Sequence, residues 1–520
     1  MKPLQNNQQG VGEGIGSLSP DAVRQYMATE AKRSVQRPHS EILDYIVSKL
    51  EPINFYAEVL GLDQDEDELP EELEINVGKT RKQARKNKPD TELKLKHFLV
   101  ITIEHILKAA NELNLGICIN NDSFYLFNGA YWKIVGTECL QTFLGQAAEK
   151  LGNEKFNARY FKFQENLVKQ FKATAYQQKP EPELGVVMIN LLNGTFVFRE
   201  EGSPRQVMRE HRREDFLTYQ LPFAFDPDAD APVFRAFLNE VQPDKSCQLL
   251  LSEYLGYVFT HNLKLEKAML LYGTGANGKS VFFEVTNALL GPENVSSYQL
   301  QSLTKIDSYE RASLADKLVN YASEMSGGLE TSIFKQMTSG EPLPVRQIYG
   351  TPFIMTHYAK LLFNCNVLPK EVELTNAFFR RFLIVPFSVT IPEEKQDPTL
   401  ARRIIESELA GVFNWVLAGL QRLIAQGKFT ESEAVKKEVE KYKKESDNVM
   451  LFLEEEAYEK SIDDYIPLKE LYANYSTFCQ DNGYRAASNK TLADRLEKAG
   501  YELTKKNIGK VVFVLQKNSF

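Results

Sequence analysis

One short segment constrains the fold more than any other part of this 520-residue chain. Residues 269–280 read MLLYGTGANGKS, which satisfies the spacing G-x-x-x-x-G-K-[ST] in full. An apolar run precedes this motif, and a second apolar run follows it and stops at Gly291-Pro292. The pattern predicts a strand, a tight phosphate-binding loop and a helix, in that order.

The residue types in the loop fit the chemistry of nucleotide binding. Glycines tolerate the backbone angles that turn successive N–H groups toward phosphate oxygens. Lys279 would reach the β- and γ-phosphates of ATP, and the Ser280 hydroxyl would ligate Mg²⁺, so we expect both as ligands. The residues predicted to surround the nucleotide are Gly273, Thr274, Gly275, Ala276, Asn277, Gly278, Lys279 and Ser280.

Polar side chains after two later apolar runs are candidates for the rest of a hydrolytic site. Glu324 follows LVNYAS, and a carboxylate there can hold Mg²⁺ or activate water. Asn366 follows KLLFNC and can orient that water. Each has a plainer interpretation, an ordinary strand-end acid and a turn-forming amide.

A pair of arginines, Arg380 and Arg381, stands directly before the apolar run FLIVPF. Paired arginines are usually surface residues or ion-pair partners. In ring-shaped nucleotide hydrolases a residue at this place can serve the site of a neighbouring subunit. Local sequence leaves both interpretations open.

Taken in order, these motifs resemble those of the superfamily 3 helicases, and in particular the helicase part of the phage/plasmid and poxvirus-type primase-helicase family. The resemblance extends from about residue 120 to the C-terminus. Its landmarks are NGTFVF, LPFAFDPDADAP, LSEYLGYVFT, GTGANGKSVF, LVNYASE, FKQMTSGEPLPVRQIYG, KLLFNCNVLP and FFRRFLIVPF.

The resemblance implies an α/β protein with an AAA+-like P-loop NTPase core that forms a hexameric ring around DNA. By position, residues 273–280 are Walker A, Glu324 is the Walker B acid and Asn366 is sensor 1. Arg381 is the first candidate for the arginine finger, and Arg380 is the second. Many members carry two adjacent acids at Walker B, whereas Ser323 precedes Glu324 here, so one carboxylate must position the metal and activate water or share these roles.

The resemblance also implies a hairpin that lines the channel of the ring, within SGEPLPVRQIYGTPFIMT (339–356). We expect its strands at 345–349 and 352–356. Lys335, Arg346 and Tyr349 are then candidate DNA contacts, because cations meet phosphates and an aromatic ring offers a stacking face. The plainer interpretation of Tyr349 is a residue that only packs in the hairpin.

The last residues predict a module of two helices and two strands, at 468–481, 488–499, 501–504 and 511–515, which suits a winged helix. Ser488 is a suitable helix N-cap. A winged helix can bind DNA or another protein. Its candidate phosphate contacts are Lys490, Arg495, Lys505, Lys506 and Lys510.

Strand and helix alternate between about 267 and 387, which predicts an α/β core, and Asn193-Gly194 predicts a hairpin before it. An acidic run at 63–74 and a basic run at 79–88 form either a polar linker or an arm that touches nucleic acid.

The predicted domains are 1–94, an N-terminal tail, helical region and charged linker; 95–235, a mixed α+β helicase-associated domain; 236–428, the ATPase core; 429–460, a charged helical connector; and 461–520, the winged-helix-like module.

Charge and hydropathy narrow the functional classes. A net charge of −8 argues against a uniformly basic nucleic-acid-coating protein but permits local basic surfaces. No apolar run approaches the ~18 residues that span a bilayer, and the first residues lack the apolar core of a secretory signal, so we expect a cytoplasmic protein, in a bacterial host if the chain comes from a phage, plasmid or mobile element.

The leading functional hypothesis is an ATP-dependent, ring-forming DNA helicase that moves along single-stranded DNA and unwinds forked duplex during replication. We find no paired-Asp plus His pattern of a primase, so a separate primase or other replication proteins would act with the homo-hexamer. The alternative is a nucleotide-gated origin-binding or melting initiator, or a loader, without processive unwinding. A small-molecule P-loop enzyme is disfavoured, because it would need neither the hairpin nor the arginine pair.

Overall fold

The computed structural model describes residues 37–60, 93–120, 122–201, 206–323, 329–348, 350–369 and 372–517. The chain divides into two compact units, one ending at Ala224 and the other beginning at Phe225. Both contain helices and strands, which confirms the α/β class. The finer domain boundaries stay predictions, and the acidic and basic runs lie outside the described residues.

The N-terminal unit combines six helices, within its described residues, with two three-stranded antiparallel sheets. Its helices are α1 (His39–Lys49), α2 (Phe55–Leu60), α3 (Leu95–Glu112), α4 (Thr137–Lys150), α5 (Lys155–Arg159) and α6 (Phe161–Thr174). Its strands are β1 (Gly116–Asn120), β2 (Ser123–Phe127), β3 (Trp132–Val135), β4 (Val186–Leu191), β5 (Gly194–Arg199) and β6 (Gln206–Arg209).

The predicted hairpin of this unit is present, but its turn lies one residue earlier than expected. Leu191 pairs with Gly194, so Leu192 and Asn193 form the turn and Gly194 begins β5. A Cβ atom at Gly194 would lie 2.5 Å from the carbonyl oxygen of Arg209 on β6. The close approach of β6 therefore requires glycine at position 194, whereas the turn does not.

The second unit is built on a five-stranded sheet in which all neighbours are parallel, in the order β13-β7-β12-β9-β8. Its sheet strands are β7 (Ala268–Tyr272), β8 (Val295–Ser296), β9 (Val319–Ala322), β12 (Lys360–Cys365) and β13 (Phe382–Pro386), and a separate hairpin pairs β10 (Leu343–Val345) with β11 (Phe353–Met355). The helices are α7 (Pro232–Val241), α8 (Lys245–Tyr257), α9 (Lys279–Leu290), α10 (Leu300–Thr304), α11 (Thr331–Ser339), α12 (Asn376–Phe379), α13 (Leu400–Ser407) and α14 (Leu409–Gln426).

A buried carboxylate joins α8 to α14. Glu253 has no exposed surface, and its oxygens accept hydrogen bonds from Arg422 Nε at 2.6 Å and from the backbone N–H of Thr430 at 2.7 Å. The Thr430 hydroxyl donates a further bond at 2.6 Å. The helices approach closely beside this site, since a Cβ atom at Gly419 would lie 2.3 Å from the backbone of Ser252.

The charged connector forms a helix, α15 (Glu433–Ser446), and two of its side chains dock on the core. Val435 and Tyr442 are buried, and the Tyr442 hydroxyl donates to the carbonyl of Pro369 at 2.8 Å. The Tyr442 ring packs edge-on against Phe382 of β13, with centroids 5.9 Å apart. Apolar residues seven positions apart lie on one helix face, so two anchors are enough to dock the helix on the core.

The C-terminal module contains the two predicted helices together with more strand than expected. Its elements are α16 (Asn448–Glu455), β14 (Tyr458–Lys460), β15 (Ile466–Pro467), α17 (Leu468–Asp481), α18 (Asn489–Lys498), β16 (Leu503–Lys506), β17 (Gly509–Val512) and β18 (Val514–Gln516). The Ser488 hydroxyl accepts from the N–H of Thr491 at 3.1 Å, which confirms the predicted cap.

The turn between the last strands is tighter than the predicted 505–510 segment. Lys506 pairs with Gly509, so only Asn507 and Ile508 lie between β16 and β17. Gly509 has φ 110°, a backbone angle that glycine adopts readily. Separately, none of the described helices combines the length and the apolarity that are needed to cross a membrane.

We expect Glu253→Ala to lower the free energy of unfolding by about 3 kcal/mol, because it leaves a partly buried guanidinium and a partly buried N–H without their acceptor. Urea unfolding followed by circular dichroism measures the change. Glu406→Ala is the matched control, since that carboxylate is 68% exposed and lies 3.9 Å from Arg402. Equal midpoints for the two variants would contradict this role of Glu253.

Candidate nucleotide site

The glycine-rich loop joins the carboxyl end of β7 to the amino end of α9. Strand β7 lies between β13 and β12. After β7 the chain forms β8, the outermost strand on one side, and then returns through β9 and β12 to β13 on the other side. In open parallel sheets the crevice at such a reversal of strand order, outside the carboxyl ends, is the usual ligand site. The loop therefore occupies the position in the fold where a ligand is expected.

Three positive φ angles curl the loop, with φ 116° at Gly275, 47° at Ala276 and 81° at Gly278. Gly278 is also packed closely from outside by α7, because a Cβ atom there would lie 2.6 Å from Val241 Cγ1 and 2.9 Å from the Phe237 ring. Backbone angle and packing thus both require glycine at Gly278.

The Lys279 ammonium group lies inside the curl, and the residue is 6% exposed. It donates to the carbonyl of Gly273 at 2.6 Å and to Asn277 Oδ1 at 3.1 Å. Burial lowers the pKa of this ammonium group from its ordinary value. Ser280 and Thr274 are exposed beside it.

The far side of the loop is held by the segment that follows β13. Asn277 Nδ2 donates to the carbonyl of Phe387 at 2.9 Å, and the N–H of Ile391 donates to the carbonyl of Ala276 at 2.7 Å. On the near side, the carboxylate of Glu408 accepts from the N–H groups of Val233 and Phe234 at 3.0 and 2.9 Å, which caps α7.

These supporting contacts do not follow from the sequence. The motif marks Asn277 only as a nucleotide-binding position, and it marks neither Glu408 nor Ile391. The interactions join residues that are more than 100 positions apart along the chain, and no local pattern links them. The apolar spacing of α7 is the one available signal of a packed helix.

Asn366 follows β12 directly and is exposed. Because Cys365 pairs with Tyr272 in parallel register, Asn366 lies at the same edge of the sheet as the loop. Strand β9 ends at Ala322 at this edge as well, next to β12. Glu324 itself lies outside the described residues, so its role stays a prediction.

Arg380 and Arg381 lie at the opposite edge of the sheet, before the amino end of β13. Arg381 is 7% exposed, and it contacts Ser339 Oγ at 3.0 Å, Glu266 at 3.2 Å and the carbonyl of Ala377. The Arg380 side chain is 62% exposed and pairs with Glu266 at 2.8 Å. Arg381 is thus engaged within its own chain and Arg380 is the more exposed of the two candidates; which of them meets a nucleotide stays a prediction.

The hairpin that we expect to line the channel has shorter strands than predicted. Strands β10 and β11 pair Val345 with Phe353, so the seven residues 346–352 connect them in place of the predicted two. Pro352 has no N–H to donate to a ladder, which accounts for the shorter strand.

The three candidate DNA contacts of this region differ in their surroundings. Lys335 pairs with Glu373 at 2.5 Å, which lowers the pKa of that carboxyl group. Arg346 donates to the Tyr309 hydroxyl at 2.7 Å and lies 5.0 Å from the centre of that ring. Tyr349 is outside the described residues.

The C-terminal cations also divide into engaged and available groups. Arg495 contacts Asn448 Oδ1 at 3.1 Å, Lys510 pairs with Glu497 at 2.9 Å, and Lys506 lies 3.4 Å from the centre of the Tyr465 ring. Lys490 and Lys505 are exposed, and neither forms an ion pair with a described residue.

The fold and the loop define the class: an α/β protein with a glycine-rich loop after a central parallel strand. Family models match three parts of the chain: "D5 N terminal like" at 104–243, a family of unknown function (DUF5906) at 271–381, and "Poxvirus D5 protein-like" at 444–518. Two of these models describe D5 proteins, so the matches support a D5-type superfamily 3 helicase family and confirm the resemblance seen in the motifs.

Two viral relatives are similar over part of their length. "Putative helicase L207/L206" of Acanthamoeba polyphaga mimivirus is 30% identical over 171 residues, 31% of this chain and 18% of that protein. "Putative helicase 121R" of Invertebrate iridescent virus 3 is 23% identical over 336 residues, 56% of this chain and 35% of that protein. The chain thus spans about a third or less of either relative.

Solved apo structures of the NrS-1 C-terminal region align with the chain at 14% and 13% identity. Their TM-scores are 0.45 and 0.47. The alignments cover 79% and 81% of this chain and 98% and 99% of those structures.

We expect Gly278→Ala to weaken nucleotide binding at least about tenfold, because the new methyl group collides with α7 and the backbone angle becomes strained. Titration with a fluorescent ATP analogue measures the affinity. Gly340→Ala is the control, since Gly340 has φ 66° but an added methyl group there would meet nothing within 4 Å. Similar affinities for the two variants would show that the α7 contact does not shape the loop.

Proposed function

We propose that this chain is an ATP-dependent DNA helicase in which each ATP site is completed by a second copy of the chain. The observation that carries the proposal is the placement of the glycine-rich loop and of the Arg380-Arg381 pair at opposite edges of one parallel sheet. The AAA+-like core, the hexameric ring and the winged-helix module belong to the same proposal, and the matches to the D5 family models support them.

The loop fits the triphosphate of ATP. The Lys279 ammonium group donates to one carbonyl oxygen and one amide oxygen inside the curl. Phosphate oxygens can replace these two acceptors. In this proposal the exposed Ser280 hydroxyl holds Mg²⁺, which when bound would neutralise charge on the β- and γ-phosphates. Asn366, at the same edge, is placed to orient the attacking water.

The arginine pair cannot reach the loop of its own chain. Ala268 pairs with Phe382 and Tyr272 pairs with Pro386, so the two edges are separated by four residues of extended strand, about 13 Å. Arg380 must therefore act, if it meets a γ-phosphate, on the site of a neighbouring copy. A head-to-tail interface of this kind forms a ring when its rotation closes.

DNA contacts are assigned by charge and exposure. Arg346 on the hairpin, and Lys490 and Lys505 on the C-terminal module, are cations that phosphates can approach. Lys505 lies directly opposite Lys510 across β16 and β17, and because Lys510 is paired with Glu497, Lys505 is the lysine of the two that a phosphate can approach. Hydrolysis at one interface would move the hairpin with the subunit and draw single-stranded DNA through the ring.

We expect Lys279→Ala and Arg380→Ala each to lower DNA-stimulated ATPase at least about 100-fold. A 1:1 mixture of the two variants should regain activity, because about a quarter of randomly formed interfaces then combine an intact Lys279 with an intact Arg380 from different copies. Phosphate release measures the rate.

Arg402→Ala is the matched control, since that side chain is 69% exposed and remote from both sheet edges in sequence. Failure of the mixture to regain activity, with each variant still oligomeric, would contradict a site shared between copies. If ATPase and DNA binding are intact but forked DNA is not displaced, the nucleotide-gated initiator becomes the better description.

We expect the double variant Lys490→Ala/Lys505→Ala to weaken DNA binding and to reduce the slope of log affinity against log salt by about 2, because each phosphate contact contributes about 0.9. Fluorescence anisotropy at several salt concentrations measures the slope. The control is Lys441→Ala/Lys436→Ala on α15. An unchanged slope in the first variant would remove this module from the DNA interface.

A further inference from the structure

Exposed aromatic rings are concentrated on one short segment of the N-terminal unit. Seven phenylalanine and tyrosine side chains stand out as exposed among the described residues, and three of them lie within six positions. Phe156 is 79% exposed, Phe161 is 53% and Tyr160 is 48%. Isolated exposed apolar residues need no explanation, but a group of this kind marks an interaction surface.

The backbone holds these rings next to one another. Phe156 and Tyr160 are four residues apart across the end of α5, so they share a face. Tyr160 is extended, with ψ 125°, and α6 begins at Phe161. The rings of Tyr160 and Phe161 stand edge-on with their centroids 5.0 Å apart.

The rings are exposed because other residues of the same segment face the core. Ala158, Phe163, Leu167 and Phe171 are buried and supply the inward face of α5 and α6. The outward rings therefore contribute little to packing, and their presence needs another reason.

Lysines flank the rings along the chain, and two nearby acids, Glu154 and Glu149, are already engaged, whereas Glu165 is exposed. The Glu154 carboxylate accepts from the N–H groups of Phe156 and Asn157 at 3.0 and 2.9 Å, and Arg159 pairs with Glu149 at 2.8 Å. Lys155 and Lys162 are exposed and form no ion pair with a described residue.

We propose that Phe156, Tyr160 and Phe161, together with Lys155 and Lys162, form a binding surface for single-stranded nucleic acid. We call these five residues the α5–α6 surface. Bases stack on exposed rings whatever their sequence, and lysines meet the intervening phosphates. Lys162 Nζ lies 5.9 Å from the centre of the Phe161 ring, so a cation stands beside one of the exposed rings.

The chemistry of the surface favours this ligand over others. Bases in a duplex are already stacked and cannot lie on the rings. Protein interfaces are depleted in lysine, so two unpaired lysines beside the rings disfavour a protein partner. The surface belongs to the N-terminal unit and does not depend on the ATP site.

The test uses the full chain without nucleotide. We expect Phe156→Ala/Tyr160→Ala/Phe161→Ala to weaken binding of a fluorescein-labelled oligothymidylate of about 20 nucleotides at least about tenfold, since each stacked base contributes substantially to affinity. Lys155→Glu/Lys162→Glu should weaken it similarly and make it less salt-sensitive. Basal ATPase without DNA should stay unchanged in both variants.

Tyr176→Ala/Leu184→Ala is the matched control, because it removes side chains that are 61% and 83% exposed from the same unit. The measurements are repeated in an Arg346→Ala/Lys490→Ala/Lys505→Ala background, so that other proposed contacts do not mask the loss. Unchanged oligothymidylate affinity in that background would overturn the proposal. An equal loss of duplex binding, or a change in oligomeric state with DNA affinity intact, would also overturn it.

Discussion

Parallel pairing of β7 with β12 and β13 is the constraint on which the proposed site depends. Because all five strands run in one direction, the residues that follow them gather at one edge and the residues that precede them gather at the other. The glycine-rich loop and Asn366 thus share the carboxyl edge, and Arg380 is left at the amino edge. In a head-to-tail assembly each copy contributes two different surfaces to its two neighbours. The two halves of the proposed site, at opposite ends of the strands, meet this requirement.

The loop is shaped as much by its neighbours as by its own glycines. Helix α7 leaves room only for glycine at Gly278, and the Glu408 carboxylate fixes the start of that helix. On the other side, Phe387 holds Asn277, which in turn contacts the buried Lys279 ammonium. A movement of α7 or of the segment at Phe387 would therefore change the position of Lys279. These contacts link the conformation of the loop to the rest of the unit.

Patterns that act over a few residues can be predicted from the sequence, and contacts between distant segments cannot. The strand, loop and helix at 268–290 and the Ser488 cap follow from adjacent residues. Burial of Arg381 depends on Ser339 and Glu266, which no local pattern links to it. The docking of the connector α15 could not be predicted for the same reason, because its charge is visible in the sequence whereas the contacts of Tyr442 with Pro369 and Phe382 are not.

The central claim is that Arg380 of one copy completes the ATP site of the next. Electron cryomicroscopy of the chain with a non-hydrolysable ATP analogue, Mg²⁺ and forked DNA tests it most directly. We expect a closed ring around one DNA strand, with the analogue against Lys279 and the neighbour's Arg380 guanidinium within hydrogen-bond distance of the γ-phosphate. An analogue bound at Lys279 with Arg380 of every copy remote from any γ-phosphate would contradict the claim.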